Sequence, residues 1–384
     1  MKNIVIWGAG ILGRRAISKY KNENIICIID NDKNKQGNIF EGYIIQSFEW
    51  FLKQKNEACI IICMDWRYVY QVVEQLRSHN ISSYRVYIEQ LFENVDLIYN
   101  QYEEFEGGSE DEWNKNKKLF DSVANVRDWV DKRHDCRILF HEIEIETINR
   151  CNGNCSFCPV NKKIDPRHYK IMDDKLFKKI ISELKELSYS GRVALFSNNE
   201  PMLDSRIIQF SKYTRENLPY AHIHMFTNGT LLSLAQFQEL IKYLDELIID
   251  NYNQDLHLLP NVKEIIEYIE SPIGEKYRKK LKVLLRKPNE ILTSRGGDAP
   301  NRKHIIDFGK ETCALPFQQM VIRPSGKVSL CCNDPYGKCS LGDVCEQKII
   351  DIWYGKKYRD LRENIYNGRR NVEHCQRCDT FMLI

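Results

Sequence analysis

The stretch HEIEIETINRCNGNCSFCPV, residues 141–160, runs from a strand pattern directly into a loop that holds three cysteines. The cysteines Cys151, Cys155 and Cys158 have the spacing C-x3-C-x2-C. Thiolates bind soft metals, chiefly zinc and iron–sulfur clusters. In parallel α/β folds, ligands bind at the carboxyl ends of the strands. The stretch therefore predicts a metal or cluster site at the end of one strand of a parallel sheet.

Strand and helix patterns alternate on both sides of this loop. Strand candidates between residues 137 and 290 are ILFHEIEIE, RVALFS, HIHMFT, ELIID and KVLLR, with helix candidates such as DDKLFKKIISELKELS between them. Repeated β-α units predict a parallel sheet or a partial barrel. The first 97 residues alternate in the same way and predict a small parallel sheet of about four strands. The fold class is therefore α/β.

The two alternating regions are separated by a polar stretch that leads into a helix pattern near LFDSVANVRDWVDKR. From about Cys313 the chain changes character, with seven cysteines and one predicted helix, IIDIWYGKKYRDLRENIY. A tail with so small a core is typical of segments that need a metal. The predicted domains are 1–97, a linker with a helix at 98–136, 137–300, and 301–384.

Charge and cysteine usage restrict the class of protein. The formal net charge of +3 favours neither nucleic acid nor a membrane surface as partner. No apolar run is long enough for a transmembrane helix, and the start shows no signal-peptide cleavage site, so we expect a cytoplasmic protein. Ten of the 14 cysteines occur at or after position 151. In a reducing compartment such clusters indicate metal binding or catalysis. The four scattered cysteines are interpreted as small buried hydrophobic residues: Cys27, Cys59, Cys63 and Cys136.

Three clustered thiolates leave two interpretations. A structural zinc site needs four ligands, and the fourth could be His168. Alternatively, the loop holds a four-iron cluster in which the protein binds three irons and leaves one coordination position open for chemistry.

The spacing, the position after a strand and the aromatic Phe157 resemble the signature of the radical S-adenosylmethionine (SAM) superfamily. The resemblance implies a partial (β/α)6 parallel barrel and a [4Fe-4S] cluster that binds SAM. The segment FSNNEPMLD resembles the family's motif for the methionyl amino group, although asparagines replace its glycines. The cofactor-binding residues that the resemblance implies, beside Phe157, are Asn199, Glu200, Asn228, Asn251 and Arg286.

The resemblance also implies the chemistry. One electron from the reduced cluster would cleave SAM into methionine and a 5′-deoxyadenosyl radical, and that radical would abstract hydrogen from a substrate C–H bond. The protein would orient the reactants and exclude water. A reducing partner such as flavodoxin or ferredoxin is implied.

The cysteine-rich tail resembles the auxiliary-cluster domains of this superfamily, because Gly326 precedes Cys331 in the pattern G-x4-C. The chain has no cysteine after Cys378, which favours the short single-cluster version, called twitch, over the longer SPASM version. The implied ligands of one auxiliary [4Fe-4S] cluster are Cys313, Cys331, Cys375 and Cys378. This cluster would transfer electrons or brace the fold, and zinc is the alternative for these four cysteines.

The amino terminus carries a glycine pattern. Gly8, Gly10 and Gly13 form G-x-G-x-x-G between a strand and a helix, and Asp30 ends the next strand candidate. This context is typical of a dinucleotide-binding fingerprint. The following residues resemble small Rossmann-like domains fused to enzymes of polysaccharide biosynthesis. The segment is therefore either a nucleotide site or a docking or structural domain.

These features lead to one main hypothesis and two alternatives. The main hypothesis is a radical SAM oxidoreductase that oxidises or remodels a sugar or a nucleotide-linked sugar, a carbohydrate substrate suggested by the amino-terminal resemblance. The first alternative is an enzyme of the same superfamily that modifies a peptide or protein side chain. The second is a non-enzymatic zinc protein with a nucleotide-sensing domain.

Overall fold

The computed structural model describes residues 2–54, 58–92, 95–103, 112–302 and 307–383, with the backbone alone for 112–120. Part of the polar start of the predicted linker, residues 104–111, lies outside these ranges. Contacts divide the chain into two compact units, Met1–Glu89 with Ser188–Gly191, and Gln90–Leu187 with Arg192–Ile384.

The first unit is built on a six-stranded sheet with the order β3-β4-β2-β1-β5-β6. Five of these strands are parallel, and β3 pairs antiparallel with β4 at one edge. The strands are β1 Asn3–Trp7, β2 Asn24–Ile29, β3 Ile39–Phe40, β4 Tyr43–Gln46, β5 Cys59–Ile62 and β6 Tyr84–Val86. The helices are α1 Ile11–Lys19, α2 Phe48–Lys53 and α3 Trp66–Ser78.

The order of the five parallel strands is that of a doubly wound dinucleotide-binding sheet, in which the first strand is central. The prediction of about four strands was too low. The strands that it missed are β3 and β4, which are short and flank the turn at Glu41 and Gly42. Both turn residues have positive φ, as tight hairpin turns require.

The second unit is built on a nine-stranded sheet with the order β15-β14-β13-β8-β9-β10-β11-β12-β7. Its strands are β7 Ile98–Asn100, β8 Glu142–Ile145, β9 Arg192–Ala194, β10 His222–Thr227, β11 Glu246–Tyr252, β12 Leu281–Arg286, β13 Gln319–Ile322, β14 Lys327–Ser329 and β15 Ser340–Asp343. Its helices are α4 Glu112–Asp131, α5 Asp174–Glu186, α6 Ile207–Asn217, α7 Leu234–Leu240, α8 Pro260–Glu270, α9 Leu315–Gln318, α10 Ile349–Trp353 and α11 Lys356–Tyr366.

The helices of this unit cover the sheet with an apolar face. In α5, Phe177, Ile180, Ile181 and Leu184 are buried, the spacing of one side of a helix. The Asp173 side chain accepts a hydrogen bond from Lys175 N at 2.8 Å and caps the start of α5. The apolar side therefore fixes how the helix packs, and the cap fixes where it begins.

Strands from three parts of the sequence form one parallel sheet. β8 to β12 come from the predicted barrel region, and all pair in parallel. β13, which follows Cys313, pairs in parallel with β8, and β7, which precedes the linker helix, pairs in parallel with β12. Seven strands therefore run in parallel, and their carboxyl ends lie at one edge. The predicted domain boundaries at 136 and 300 stay a prediction, although the sheet crosses both of them.

Two smaller predictions were wrong. The single helix predicted in the tail is two helices, α10 and α11, because Gly355 separates them in an extended conformation. Cys136 is exposed, whereas Cys27 and Cys63 are buried as expected and Cys59 is partly buried. Among the helices that the structure describes, none combines the length and the apolar character that a bilayer crossing requires.

Candidate active site

The three loop cysteines follow β8 at the carboxyl edge of the large sheet. The backbone carbonyls of Cys155 and Cys158 accept hydrogen bonds from Asn161 Nδ2 at 3.2 and 2.9 Å. Ser156 N donates to Pro288 O, just after β12, at 2.8 Å. These bonds hold the loop across the ends of the strands.

The thiols of this loop lie close enough to influence one another. Burial raises the pKa of Cys151 to about 12, with a smaller contribution from the nearby Cys158 thiol. Burial also raises the pKa of Cys155 to about 12, and both other thiols add to it. A Cβ placed on Gly153 would lie 3.3 Å from the Cys151 sulfur and 3.9 Å from the Cys155 sulfur. Three neighbouring thiols, of which Cys155 is buried and the other two are partly buried, fit a cationic metal centre, because such a centre offsets the cost of burying thiolates.

A single ion and an iron–sulfur cluster place different demands on the three sulfurs. Among the described residues, no group of three His, Cys, Asp or Glu side chains approaches closely enough to share a single metal ion. In an iron–sulfur cluster each thiolate binds a different iron, so the sulfurs need not meet at one point.

Glu200 joins the neighbouring strand ends. Its carboxylate accepts hydrogen bonds from Asn228 N at 2.7 Å, Thr227 Oγ1 at 2.6 Å and Met202 N at 3.0 Å. The side chain of Asn228 donates to Asn152 Oδ1 at 2.8 Å, inside the cysteine loop. Burial raises the pKa of Glu200, whereas these donors lower it. Glu200 is only 2% exposed. Its carboxylate holds Asn228, and Asn228 in turn bonds to the cysteine loop.

We expect Glu200→Ala to destabilise the protein by roughly 2–4 kcal/mol, because three buried donors lose their acceptor. Glu200→Gln should also be destabilising, because the NH2 group of the glutamine would face the backbone N–H group of Met202 or Asn228. The free energy of unfolding from denaturant titration measures both effects. The control is Glu239→Ala, at an exposed carboxylate on α7, which should leave the midpoint nearly unchanged. Equal stability of Glu200→Ala and the parent would contradict this role.

The structure brings the other predicted cofactor residues to the same edge, in different settings. The Phe157 ring lies 5.9 Å from the Tyr252 ring at the end of β11. Asn199 accepts a bond from Ser197 N at 2.8 Å, and its buried Nδ2 has no protein partner. That free donor is available for an acceptor of the cofactor.

Arg286 and Asn251 are held by protein groups. Arg286 Nε lies 3.1 Å from both carboxylate oxygens of Glu290, and Arg286 Nη1 lies 3.5 Å from Asp250 Oδ1. Asn251 is completely buried, donates to His257 O and accepts from Leu259 N, both at 2.9 Å. Asn251 therefore braces the loop after β11, and direct contact of either side chain with a cofactor stays a prediction.

The four cysteines predicted for the second site are buried together in the tail. Burial raises the pKa of Cys331, and the thiols of Cys332, Cys375, Cys313 and Cys378 add to it, in that order. Cys313, Cys331 and Cys375 belong to one core cluster with Val126 and Val130 of α4. The four thiols are therefore near neighbours, as one cluster requires.

A buried guanidinium supports this second site. Arg369 is 1% exposed and donates to three carbonyls: Thr312 O at 3.1 Å, Cys378 O at 2.8 Å and Thr380 O at 2.5 Å. Among the described residues, no carboxylate forms a salt bridge with it. Burial raises the pKa of the nearby Cys313 thiol, and the charge of Arg369 opposes this shift. A buried cation without an anion is costly, and a cluster bound by four thiolates would supply negative charge. The site fits the predicted group.

The remaining tail cysteines differ in position. Burial raises the pKa of Cys332, the nearby carboxylates of Glu144 and Glu142 add to it, and Arg295 opposes them. Cys339 is partly buried and packs against the hydrophobic core that contains Cys313, Cys331 and Cys375. Cys345 is exposed, with its sulfur 3.6 Å from Ser325 O.

Sequence reasoning missed a buried polar group on the inner face of β8 and β13. Gln319 Nε2 donates to Glu142 Oε1 at 3.1 Å and to Glu144 Oε1 at 2.9 Å. Gln319 Oε1 accepts from Cys332 N at 3.0 Å. The signal was present in HEIEIE, because glutamates at every second position of a buried strand share one face.

Glu144 is the least satisfied member of this group. It is 6% exposed, and its Oε2 is buried without a partner. Burial and the nearby Glu142 raise the pKa of Glu144 to about 8, opposed by Ser197, Arg323 and Arg295. A buried carboxyl near Cys332, with one oxygen that has no partner, is suited to binding or moving a proton.

Three family models match successive parts of the chain. The Radical SAM superfamily model matches residues 145–287, and the model of an iron–sulfur cluster-binding domain, SPASM, matches residues 313–379. A third model, C2185-like N-terminal, matches residues 1–87. The first two matches include all seven predicted cysteine ligands.

A known enzyme sequence and a solved structure resemble the larger part of the chain. The S-adenosyl-L-methionine-dependent 2-deoxy-scyllo-inosamine dehydrogenase of Niallia circulans is 27% identical over 245 residues, which are 63% of this chain and 93% of that protein. The crystal structure of BtrN in complex with AdoMet and 2-DOIA matches with a TM-score of 0.54 and 27% identity, over 63% of this chain and 94% of that chain.

Proposed function

Residues 145–287 form a radical SAM domain and residues 313–379 form a SPASM iron–sulfur domain, and from this premise we propose that the protein oxidises a secondary alcohol of a sugar-like ring to a ketone. The observation that carries the proposal is the similarity to the 2-deoxy-scyllo-inosamine dehydrogenase, which extends over 93% of that enzyme. A peptide substrate and a zinc protein are not favoured by this similarity. The cofactors are a [4Fe-4S] cluster with SAM and an auxiliary cluster.

Seven of the cysteines are assigned to the two clusters. Cys151, Cys155 and Cys158 would hold the SAM-binding cluster, and the four tail cysteines would hold the auxiliary cluster. When bound, these groups supply a 5′-deoxyadenosyl radical that removes the hydrogen atom from the alcohol carbon, and an acceptor for the second electron. Asn228 and Asn199 place amide groups beside the first loop, where they would orient the amino acid part of SAM.

The alcohol must also lose its hydroxyl proton, and we propose that Glu144 accepts it. Its free Oε2 can bond to a substrate hydroxyl, while Gln319 fixes the other oxygen. Asn198 Nδ2 donates to Cys332 O at 2.9 Å, and Arg295 donates to Asn198 Oδ1. These bonds connect the polar side chains around Glu144 to Cys332, which follows the predicted ligand Cys331. We propose that the ring binds against this polar group.

The pH dependence of turnover tests the role of Glu144. Because its pKa is raised to about 8, the carboxyl is mostly protonated at neutral pH and can accept a proton only after it ionises. We expect kcat/KM to rise with pH and to level off above about 8. Glu144→Gln should lower kcat by roughly 10²–10⁴-fold and abolish the rise of kcat/KM with pH. A rising limb that survives in Glu144→Gln would contradict the assignment.

The substrate class is tested with anaerobically reconstituted protein. We expect 2-deoxy-scyllo-inosamine, other amino cyclitols or amino sugars to give 5′-deoxyadenosine together with a product lighter by two hydrogens, as measured by mass spectrometry. Assays in deuterated buffer report whether solvent hydrogen enters the product. Turnover with peptides alone would overturn the proposal. The reaction needs a low-potential electron donor such as flavodoxin or ferredoxin, and with the reduced cysteines this leads us to propose a cytoplasmic location.

A further inference from the structure

The first unit contains a cavity of about 750 Å³ that the proposed oxidation does not use. It opens where β1, β2 and β5 end, since its lining includes Gly8–Gly10, Asp30–Asp32 and Cys63–Asp65. β1 lies between β2 and β5 in the sheet, so this is the point where the strand order reverses. Open parallel sheets bind ligands at this place.

The three glycines of the fingerprint differ in what requires them. A Cβ on Gly8 would lie 2.2 Å from Cys63 O, and a Cβ on Gly13 would lie 1.9 Å from Gly8 O, so packing alone explains both. A Cβ on Gly10 would meet nothing within 4 Å. Gly10 also has an ordinary extended conformation, with φ of −143°. Neither packing nor backbone conformation requires a glycine at position 10. A ligand that approached the backbone closely at this position would require one.

The start of α1 leaves donors available on this side of the cavity. Gly10 is its N-cap residue, no side chain caps the helix, and its first turn has no acidic residue. The indole Nε1 of Trp7, another lining residue, is buried without a protein partner. Unpaired N–H groups at a helix start suit an anionic group such as a phosphate.

The cavity is also lined by carboxylates, which suit hydroxyl groups. Its charged lining residues are Asp30, Asp32, Asp65 and Lys35. Asp30 Oδ2 accepts from Ala9 N at 2.8 Å and from Lys35 Nζ at 3.0 Å. The Lys35 side chain is 43% exposed, so a ligand hydroxyl can replace it at little cost. The excess of carboxylates disfavours a second phosphate on the ribose.

We propose that this cavity binds a ribonucleoside diphosphate with a free ribose diol, its phosphates at Gly10 and the start of α1 and its ribose at Asp30. A dinucleotide and a nucleoside-diphosphate sugar share this chemistry. The site lies wholly within the first unit, and the residues of both cysteine sites belong to the second.

Titration calorimetry of the full-length, anaerobically purified protein tests the proposal. NAD+ and UDP-N-acetylglucosamine are the two probes, and the tighter one identifies the class. We expect binding tighter than about 1 mM for at least one of them. NADP+ should bind at least about tenfold more weakly than NAD+, or dUDP than UDP, because the ribose diol is blocked or incomplete.

The variant Gly10→Ala separates binding from folding. Its new Cβ has room in the free protein, so the melting temperature should not change, while the affinity for the bound probe should fall at least about tenfold. Gly13→Ala, with its clash at Gly8 O, should instead lower the melting temperature. If Gly10→Ala fails to fold, the comparisons of NADP+ with NAD+ and dUDP with UDP decide the question. No binding of either probe, unchanged affinity in a folded Gly10→Ala, or equal affinity for blocked and free diols would overturn the proposal.

Discussion

Alanine at Cys151, Cys155 and Cys158 together is expected to abolish cleavage of SAM. The three thiols lie on one loop after β8 and are the only protein ligands that we assign to the SAM-binding cluster. Without them the cluster has no attachment, so 5′-deoxyadenosine formation should fall by at least about 10³-fold. Iron should fall by roughly four atoms per chain, the content of one [4Fe-4S] cluster. Iron and sulfide analysis and a dithionite-driven cleavage assay measure both.

The matched control is Cys345→Ala. Cys345 is exposed and lies outside both predicted ligand sets, so iron content and cleavage should match the parent. Parental cleavage by the triple variant would refute a cluster at this loop. A colourless protein with zinc in place of iron would refute it as well.

Serine at Cys331 should remove the auxiliary cluster, whereas serine at Cys332 should not. The two residues are adjacent, but Cys331 is buried in one core with Cys313 and Cys375, whereas Cys332 is only partly buried and the carboxylates of Glu144 and Glu142 also act on it. We expect Cys331→Ser to lose roughly four irons per chain and to lose stability, because the core around Arg369 would keep a buried cation without its anion. Cys332→Ser should keep its full iron content.

The activity of the same pair reports on the job of the auxiliary cluster. In Cys331→Ser, SAM cleavage should continue while formation of the ketone product falls by at least about 10²-fold, because the second electron has no acceptor. The measurement is the ratio of product to 5′-deoxyadenosine. Equal iron loss in both variants would show that the assignment of Cys331 rather than Cys332 as the ligand is wrong, and full ketone formation by an iron-depleted Cys331→Ser would show that the cluster only braces the fold.

Much of the site could be predicted because its chemistry is local in sequence. The spacing of Cys151, Cys155 and Cys158 places three thiols on one loop, and the family models match the regions that contain all seven predicted ligands. The alternation of strands and helices likewise predicted a parallel sheet. Strand counts were less accurate where strands were short, as in β3 and β4.

The bonds between distant segments could not be predicted in the same way. Glu200 was selected as a partner for the cofactor, yet its carboxylate is occupied by Asn228, Thr227 and Met202. Gln319, far along the chain from Glu144, reaches it only because β13 pairs with β8 in one register. A sequence pattern shows which face a strand residue occupies, but it does not show which strand lies beside it.

The sequence by itself determined the metal chemistry, the order of β-α units and the glycine turn at the amino terminus, because each depends on residues within a few positions of one another. Only the tertiary structure decided that Gln319 joins Glu142, Glu144 and the backbone of Cys332, that Arg369 is buried among the tail cysteines, and that Glu144 keeps a free oxygen. Those properties depend on side-chain direction and on strand pairing over long separations, which the packing of the folded chain sets.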